Sequence, residues 1–256
     1  MEALYIGGPT VILTLGGLRL MTDPTLDPAG HSYPTGGGKF TLEKAQSPAT
    51  TAIGKIDVVL LSHDQHPDNL DTAGRALLQT VTHTYTTVSG SRRLGGNSIG
   101  LAPWESQTLT TPDGSQITIT ATPARHGPAG IEPISGDVIG FILSVKGPRT
   151  FEIYVTGDTV FYEGVAEVAK KFKPEYIFLF AGAARVRGPF NLTMGTNDAI
   201  DTAAAFPTAT IIPLHYEGWR HFTQNQADLQ TSFGALGIGD RLKILPAGVE
   251  VQLFPQ

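Results

Sequence analysis

Short apolar stretches alternate with glycine and proline at the start of the chain: Ala3 to Ile6, Thr10 to Leu15 and Leu18 to Met21, separated by Gly7-Gly8-Pro9 and Gly16-Gly17. This spacing predicts an antiparallel meander. Asp23-Pro24 stops the third strand. Residues 24 to 55, rich in Gly, Pro, Thr and Ser, then read as a long surface loop, a kind of segment that is more often functional than idle in compact folds. Ile56 to Leu61 (IDVVLL) is an unbroken apolar run, the pattern of a strand buried on both faces. Helical spacing follows over Leu70 to Thr80. Further strands are predicted at Thr84 to Val88, Gln116 to Thr122, Val138 to Val145, Phe151 to Thr156, Ile177 to Phe180 and Thr210 to Leu214, with helices over Gly164 to Lys171 and Thr196 to Phe206. No fixed-period repeat or charged linker divides the 256 residues, so the expectation is one α/β domain spanning 1–256, built from two similar halves that meet near residues 110 to 120.

Composition narrows the chemistry. A hydrophobic fraction of 41% with 16% charged residues suits a large core and excludes a disordered chain. The net charge of -5 gives no general attraction to nucleic acid or anionic lipid, so neither is an expected partner. No apolar run reaches the roughly 18 residues that span a bilayer, and the N-terminus lacks a signal-peptide pattern, so no membrane insertion and a cytoplasmic location are expected. With no cysteine, disulfides and thiolate metal sites are excluded, and a metal site must be built from His, Asp and Glu.

Such residues recur at strand ends. His63 and His66 follow IDVVLL, His126 follows ITITATPAR, Asp158 follows FEIYVTG and His215 follows ATIIPL. Singly, each has an ordinary reading as a surface histidine, a turn or a helix cap. Together they outline one sheet edge where loops shape a site without disturbing the core. Imidazole and carboxylate bind zinc, manganese or iron when sulfur is absent, and a bound metal lowers the pKa of water from about 15.7 to about 7, which makes hydrolysis the natural chemistry.

The stretch LLSHDQHPDNLD resembles the HxHxDH signature of the metallo-β-lactamase superfamily, ATPARH its third-motif histidine, VTGDT its bridging aspartate and IIPLHYEGW its last metal histidine. Met21-Thr22-Asp23-Pro24 after the opening hairpin fits as well. The match runs over residues 3 to 220 in the expected order and is most similar to the branch of ascorbate-phosphate lactonases and N-acyl-phosphatidylethanolamine phospholipase D-like proteins. The resemblance implies an αββα four-layer sandwich with pseudo-symmetric halves. It also implies a hydrolase using metal-bound hydroxide on a small ester, lactone or phosphodiester, with one or two divalent transition metal ions, zinc first and manganese or iron as alternatives. His63, His66 and His126 would surround one metal, and Asp158 would bridge to a second held by Asp68 and His215, with Asp68 also orienting or deprotonating the attacking water.

The chain departs from that pattern twice. Asn69 stands where the family has a histidine, so the second site has at best a weaker amide ligand there. One extra residue separates His63 from Asp68: either His63 and His66 both reach the metal, or Asp64 takes the position of His63, and we favour the former. Asp23 is a candidate support for a ligand histidine. Glu217, Trp219 and His221 are candidate lining residues, and Arg125, Arg185 and Arg187 candidate contacts for an anionic substrate group. His31 and His83 lack any motif context.

A small-molecule substrate and a chain compatible with homo-oligomer formation complete the reading. The alternative is a non-catalytic metal- or ligand-binding protein with a degenerate second site. A nuclease is disfavoured by charge, and a di-iron redox enzyme by the lack of length after residue 220 for a flavin domain.

Overall fold

In the first half, β1 (Glu2–Gly7), β2 (Thr10–Leu15) and β3 (Leu18–Thr22) form the expected meander. A small hairpin of β4 (Ser32–Thr35) and β5 (Phe40–Glu43) comes next, then β6 (Val58–Leu60), α1 (Thr72–Leu77), β7 (His83–Thr87), α2 (Val88–Leu94) and β8 (Ser98–Leu101). The second half runs β9 (Ser106–Thr110), β10 (Gln116–Pro123), α3 (Glu132–Ser135), β11 (Ile139–Lys146), β12 (Phe151–Val155) and α4 (Glu163–Lys171). It continues through β13 (Tyr176–Phe180), α5 (Thr196–Ala205), β14 (Thr210–Leu214), α6 (Gln226–Ala235) and β15 (Glu250–Gln252). This is a computed structural model, and it describes residues 1–254.

Two mixed sheets result, one ordered β15-β1-β2-β3-β6-β7-β8 and the other β14-β13-β12-β11-β10-β9. They face each other across a core that takes Tyr5, Leu13, Leu20 and Leu60 from the first sheet and Ile119, Phe141, Leu143, Ile153, Phe178 and Ile212 from the second. Burying one such side chain contributes about 1.5–3 kcal/mol. On the far face of the second sheet, Ile142, Tyr154, Ile177 and Leu179 pack under Val165 and Val168 of α4, Ala199 and Ala203 of α5, and Leu229 and Phe233 of α6. On the far face of the first, Ile6, Ile12, Met21 and Val59 pack with Leu70, Leu78 and Val81, which flank α1. Helix, sheet, sheet and helix make the four layers that the resemblance implies.

The halves are less cleanly divided than expected. The second sheet begins at β9, and β15 returns the end of the described chain to pair with β1 in the first. Residues 24 to 55 also carry the β4–β5 hairpin rather than a bare loop. Each of its strands is only four residues long and offers little periodicity. The hairpin is tied down at its base, where the buried Lys44 ammonium donates to Asp71 at 2.8 Å and Asp71 also caps α1 by accepting from the Gly74 amide at 2.9 Å. No helix among the described residues is long and apolar enough to cross a membrane.

Strand direction positions the site. β3, β6 and β7 run parallel, as do β12, β13 and β14, and β10, two antiparallel steps from β12, shares the latter direction. The segments leaving β6, β10, β12 and β14 therefore converge at the mouth between the sheets. Two backbone bonds stitch that mouth, from the His215 amide to the Gly8 carbonyl at 2.7 Å and from the Ile139 amide to the Ser62 carbonyl at 3.1 Å.

Candidate metal centre

Three histidines meet first. His63 Nε2 lies 2.9 Å from His66 Nδ1, and His126 Nε2 lies 3.0 Å from the same atom. The other nitrogens of His63 and His126 are committed. His126 Nδ1 is 2.8 Å from the Leu192 carbonyl, which requires it to donate and leaves a lone pair on Nε2. His63 Nδ1 is 2.9 Å from the Ser62 hydroxyl, whose proton goes to Asp23 at 2.6 Å, so His63 also presents a bare Nε2. Burial holds all three neutral: His63 is pushed well below the usual histidine range, His66 to about 3 and His126 to about 4. Three ring nitrogens thus converge with at most one proton among them, a poor hydrogen-bonded cluster and a good set of ligands.

Beside them stands a second group, Asp68, Asp158 and His215, each buried. His215 Nε2 lies 3.5 Å from both Asp68 Oδ2 and Asp158 Oδ1, while Asp158 Oδ2 faces His126 Nε2 at 3.6 Å. Asp158 therefore spans the two groups. Neither of its oxygens has a hydrogen-bond partner, and His215 Nε2 and Asp68 Oδ1 have none either. Burial pushes the Asp158 carboxyl up to about 7. Burial alone would also raise Asp68, but His221 and His215 beside it hold it well below the usual carboxylate range. Orphaned buried carboxylate oxygens are costly unless a cation meets them, so the donor set fits divalent metal at both positions.

His215 sits between the Phe180 and Phe222 rings and adopts a left-handed φ of 55°, a conformation that costs a non-glycine residue and persists only where its surroundings enforce it. Asp23, fully buried and pushed up to about 7 by burial, accepts from the Ser62 backbone amide and hydroxyl and from the Asn69 side-chain Nδ2 at 3.1 Å. It supports His63 through Ser62, a relay that the sequence suggested for Asp23 without identifying the serine between them.

The extra residue after His63 is taken up without loss of either histidine. Asp64 turns away into a two-bond contact with Arg93, at 2.9 and 2.6 Å. Asn69 points its amide nitrogen at Asp23 and leaves Oδ1 buried without a partner. His221 is closer to the site than its neighbours in sequence suggest, with Nε2 2.9 Å from Asp68 Oδ2. Glu217 and Trp219 instead line a separate cleft with Gln226.

A cavity of about 360 Å³, open solvent at its mouth included, opens over His66, Asp68, His126 and His221. Phe40, Leu42, Ala184, Val186 and Leu192 form apolar walls, and the hairpin supplies its cover. Of the three candidate arginines, Arg187 lines this cavity, over the Phe40 ring at 5.0 Å. Arg125 stacks on Tyr162 and Arg185 holds Asn191 at the surface. His31 is exposed and His83 lies on β7, both away from the cluster.

Comparison with known proteins identifies the family and the fold. The family model described as beta-lactamase superfamily domain matches residues 19–216. A UPF0173 metal-dependent hydrolase of Pelotomaculum thermopropionicum is 28% identical over 207 residues, covering 78% of this chain and 83% of the relative. The crystal structure of isothiocyanate hydrolase from Delia radicum gut bacteria is similar with a TM-score of 0.81 and 25% identity, over 98% of this chain and 99% of that one. A possible metal-dependent hydrolase from Veillonella parvula shares the fold with a TM-score of 0.83 at 20% identity, each chain being 99% covered.

Proposed function

Because the chain belongs to the beta-lactamase superfamily, as one of its metal-dependent hydrolases, we propose that it cleaves small, largely apolar esters or lactones at a two-metal centre. His63, His66 and His126 would hold one ion, Asp68 and His215 would help to hold the other, and Asp158 would be available to both. The single observation that carries this reading is Asp158: a fully buried carboxylate, without hydrogen-bond partners, flanked by imidazole nitrogens on both sides. Imidazole with carboxylate suits zinc first, and manganese or iron also. Such ions, when bound, polarise a carbonyl oxygen and make water acidic enough to attack near neutral pH.

The chain's own residues do the rest. Asp68 Oδ1 is buried without a hydrogen-bond partner, so it accepts a hydrogen bond from the attacking water and orients or deprotonates it. Phe40, Leu42, Val186 and Leu192 seat an apolar substrate portion and exclude water, while Arg187 meets one oxygen of the acyl or lactone group. Among the residues lining the cavity Arg187 is the one arginine or lysine, which favours a carbonyl compound over a doubly charged phosphate ester. A second reading, isothiocyanate hydrolysis, is favoured by the similarity to the isothiocyanate hydrolase over nearly the whole of both chains.

Four probes separate these readings: an aryl ester, a γ-lactone, an aryl isothiocyanate and an aryl phosphodiester, each offered to protein of known metal content. Metal-dependent turnover of the ester or lactone is expected, together with loss of activity and of bound metal in His126→Ala. Protein that takes up no metal on reconstitution would favour the ligand-binding alternative. Turnover confined to the isothiocyanate or the phosphodiester would overturn the substrate class.

The Asp158 carboxyl also predicts a pH signature. Its folded-state value of about 7 means that it carries a proton at mildly acid pH, and a cation must displace that proton. The three histidines are already neutral there and release nothing. Metal affinity should therefore rise as pH climbs towards about 7, with a proton released on the acid side that Asp158→Asn does not release, read by calorimetry in buffers of differing ionisation enthalpy. Affinity that does not change across that window would remove Asp158 from the site.

A further inference from the structure

His63 and His66 are three residues apart, where the pattern that this stretch resembles has its two histidines two apart. Side chains alternate between faces along an extended chain, so residues two apart point the same way and residues three apart point oppositely. Yet His63 Nε2 and His66 Nδ1 lie 2.9 Å from each other, because the backbone bends at Asp64 and Gln65. Turns are often closed by a hydrogen bond between their own backbone groups. Among the described residues no backbone–backbone hydrogen bond involves residues 63 to 65. Such bonds resume on either side, at the Ser62 carbonyl and at the His66 carbonyl, which accepts from the Asn69 and Leu70 amides at 3.1 and 3.0 Å.

Side chains from two helices take over that task. Arg93 of α2 meets the Asp64 carboxylate through two bonds, Nε to Oδ2 at 2.9 Å and Nη2 to Oδ1 at 2.6 Å, a contact that fixes direction as well as distance. Arg75 of α1 donates to the Asp64 backbone carbonyl at 2.5 Å. Helix α2 comes this close because Gly90 has no side chain; a Cβ there would stand 3.0 Å from Asp64 Oδ1. The Asp64 side chain is 5% exposed and that of Arg93 45%, so the arginine reaches in from solvent to neutralise a carboxylate that is otherwise enclosed.

We infer that Arg93 and Arg75 are positioning residues for the three-histidine ion position: acting through Asp64, they hold the bend that brings His63 and His66 together despite the extra residue between them. The inference rests on the metal-centre reading above and adds to it the groups that make this spacing workable. Without Arg93 the Asp64 carboxylate is enclosed with no counter-charge, and the segment must move to expose it, carrying His63 and His66 along.

The test reads ion affinity and fold stability separately. Wild-type chain, Arg93→Ala, Asp64→Ala, the double variant and Arg93→Lys are stripped with a chelator, melted without metal, and titrated with zinc against a competing indicator. Zinc positions are located by anomalous scattering from crystals. Arg93→Ala and Asp64→Ala should each bind the ion at the three histidines about 10–100-fold more weakly, the size of loss found when a group that orients a ligand is removed. The double variant should lose no more than Arg93→Ala alone, since the arginine acts through that one carboxylate. Arg93→Lys keeps the charge without the two-bond contact; it should fall between wild type and Arg93→Ala, and it carries the test if the alanine variant does not fold. Variants that melt lower yet hold this ion as tightly as wild type would overturn the inference, because the pair would then serve the fold alone, and losses that add in the double variant would overturn the route through Asp64. Wild-type zinc bound only at Asp68, Asp158 and His215 would overturn it while sparing that group, and wild-type chain that takes no zinc would sink the metal-centre reading as well.

Discussion

Asp158→Ala is expected to lower hydrolysis by at least about 10³-fold while leaving the metal-free chain at least as stable as wild type near pH 8. The two effects have one cause. Asp158 is fully buried, its oxygens lack partners, and burial pushes its carboxyl up to about 7. A carboxyl raised in the folded state above its unfolded value stabilises the fold fully below the unfolded value, and that contribution is lost as pH climbs through about 7. Above that point the metal-free protein carries an ionised interior carboxylate at a cost of a few kcal/mol, each pKa unit corresponding to about 1.4 kcal/mol. Alanine removes the charge and leaves a small void worth about 1 kcal/mol. With metal present the order reverses, because wild type gains binding free energy that the variant has lost. Thermal melts of both proteins at mildly alkaline pH, with and without metal, check this beside the rates. Near-wild-type turnover, or a metal-free variant much less stable than wild type, would show that Asp158 serves the fold rather than the ions.

The parts of this site legible in the sequence are those where local pattern and chemistry coincide. IDVVLL running into His63, and FEIYVTG running into Asp158, announce buried strands that end in polar groups, because a strand apolar on both faces can turn polar only where it leaves the sheets. What was not legible depends on partners far along the chain. His221 was legible as a candidate lining residue, but not its bond to Asp68, 153 residues away. Its spacing from His215, with aromatic residues between and beside them, was the one local hint. Asp64, the alternative to His63 in the sequence, is drawn into an ion pair by Arg93 on α2, a helix with too few apolar positions to be marked by periodicity. The polar strand β9 and the helix α6 escaped for the same reason: β9 is a largely exposed sheet edge, and α6 buries only Leu229 and Phe233. The β4–β5 hairpin, which covers the cavity, owes its place to the buried Lys44–Asp71 pair, and no pattern within residues 24 to 55 could show that contact.

Gly157→Ala should be among the most damaging single-methyl changes in the chain, because it affects both groups of donors at once. Gly157 adopts φ +61°, where a side chain costs about 1–2 kcal/mol. A Cβ there would sit 2.6 Å from the Ile139 carbonyl oxygen and 2.8 Å from Ser62 Cβ. Neither neighbour yields easily. Ile139 begins β11, and its amide is bonded to the Ser62 carbonyl, while Ser62 connects Asp23 to His63. Relief must therefore shift the Ser62 relay on one side or Asp158 on the other. The combined strain is roughly 3–4 kcal/mol, which at about 2–4 °C per kcal/mol for a chain of this size lowers Tm by about 10 °C. Displacement of Asp158 or His63 by as little as about 1 Å would cost a further 10²-fold or so in turnover. Gly37→Ala supplies the control: Gly37 has φ +70° at the hairpin tip, and a Cβ there meets nothing within 4 Å, so it carries the backbone cost alone. Melting curves and metal titrations of the two variants separate backbone strain from crowding at the site. If Gly157→Ala melts no lower than Gly37→Ala and holds its metal as tightly as wild type, then the close packing of Gly157 against Ser62 and Ile139 does not keep the two groups of ligands in register.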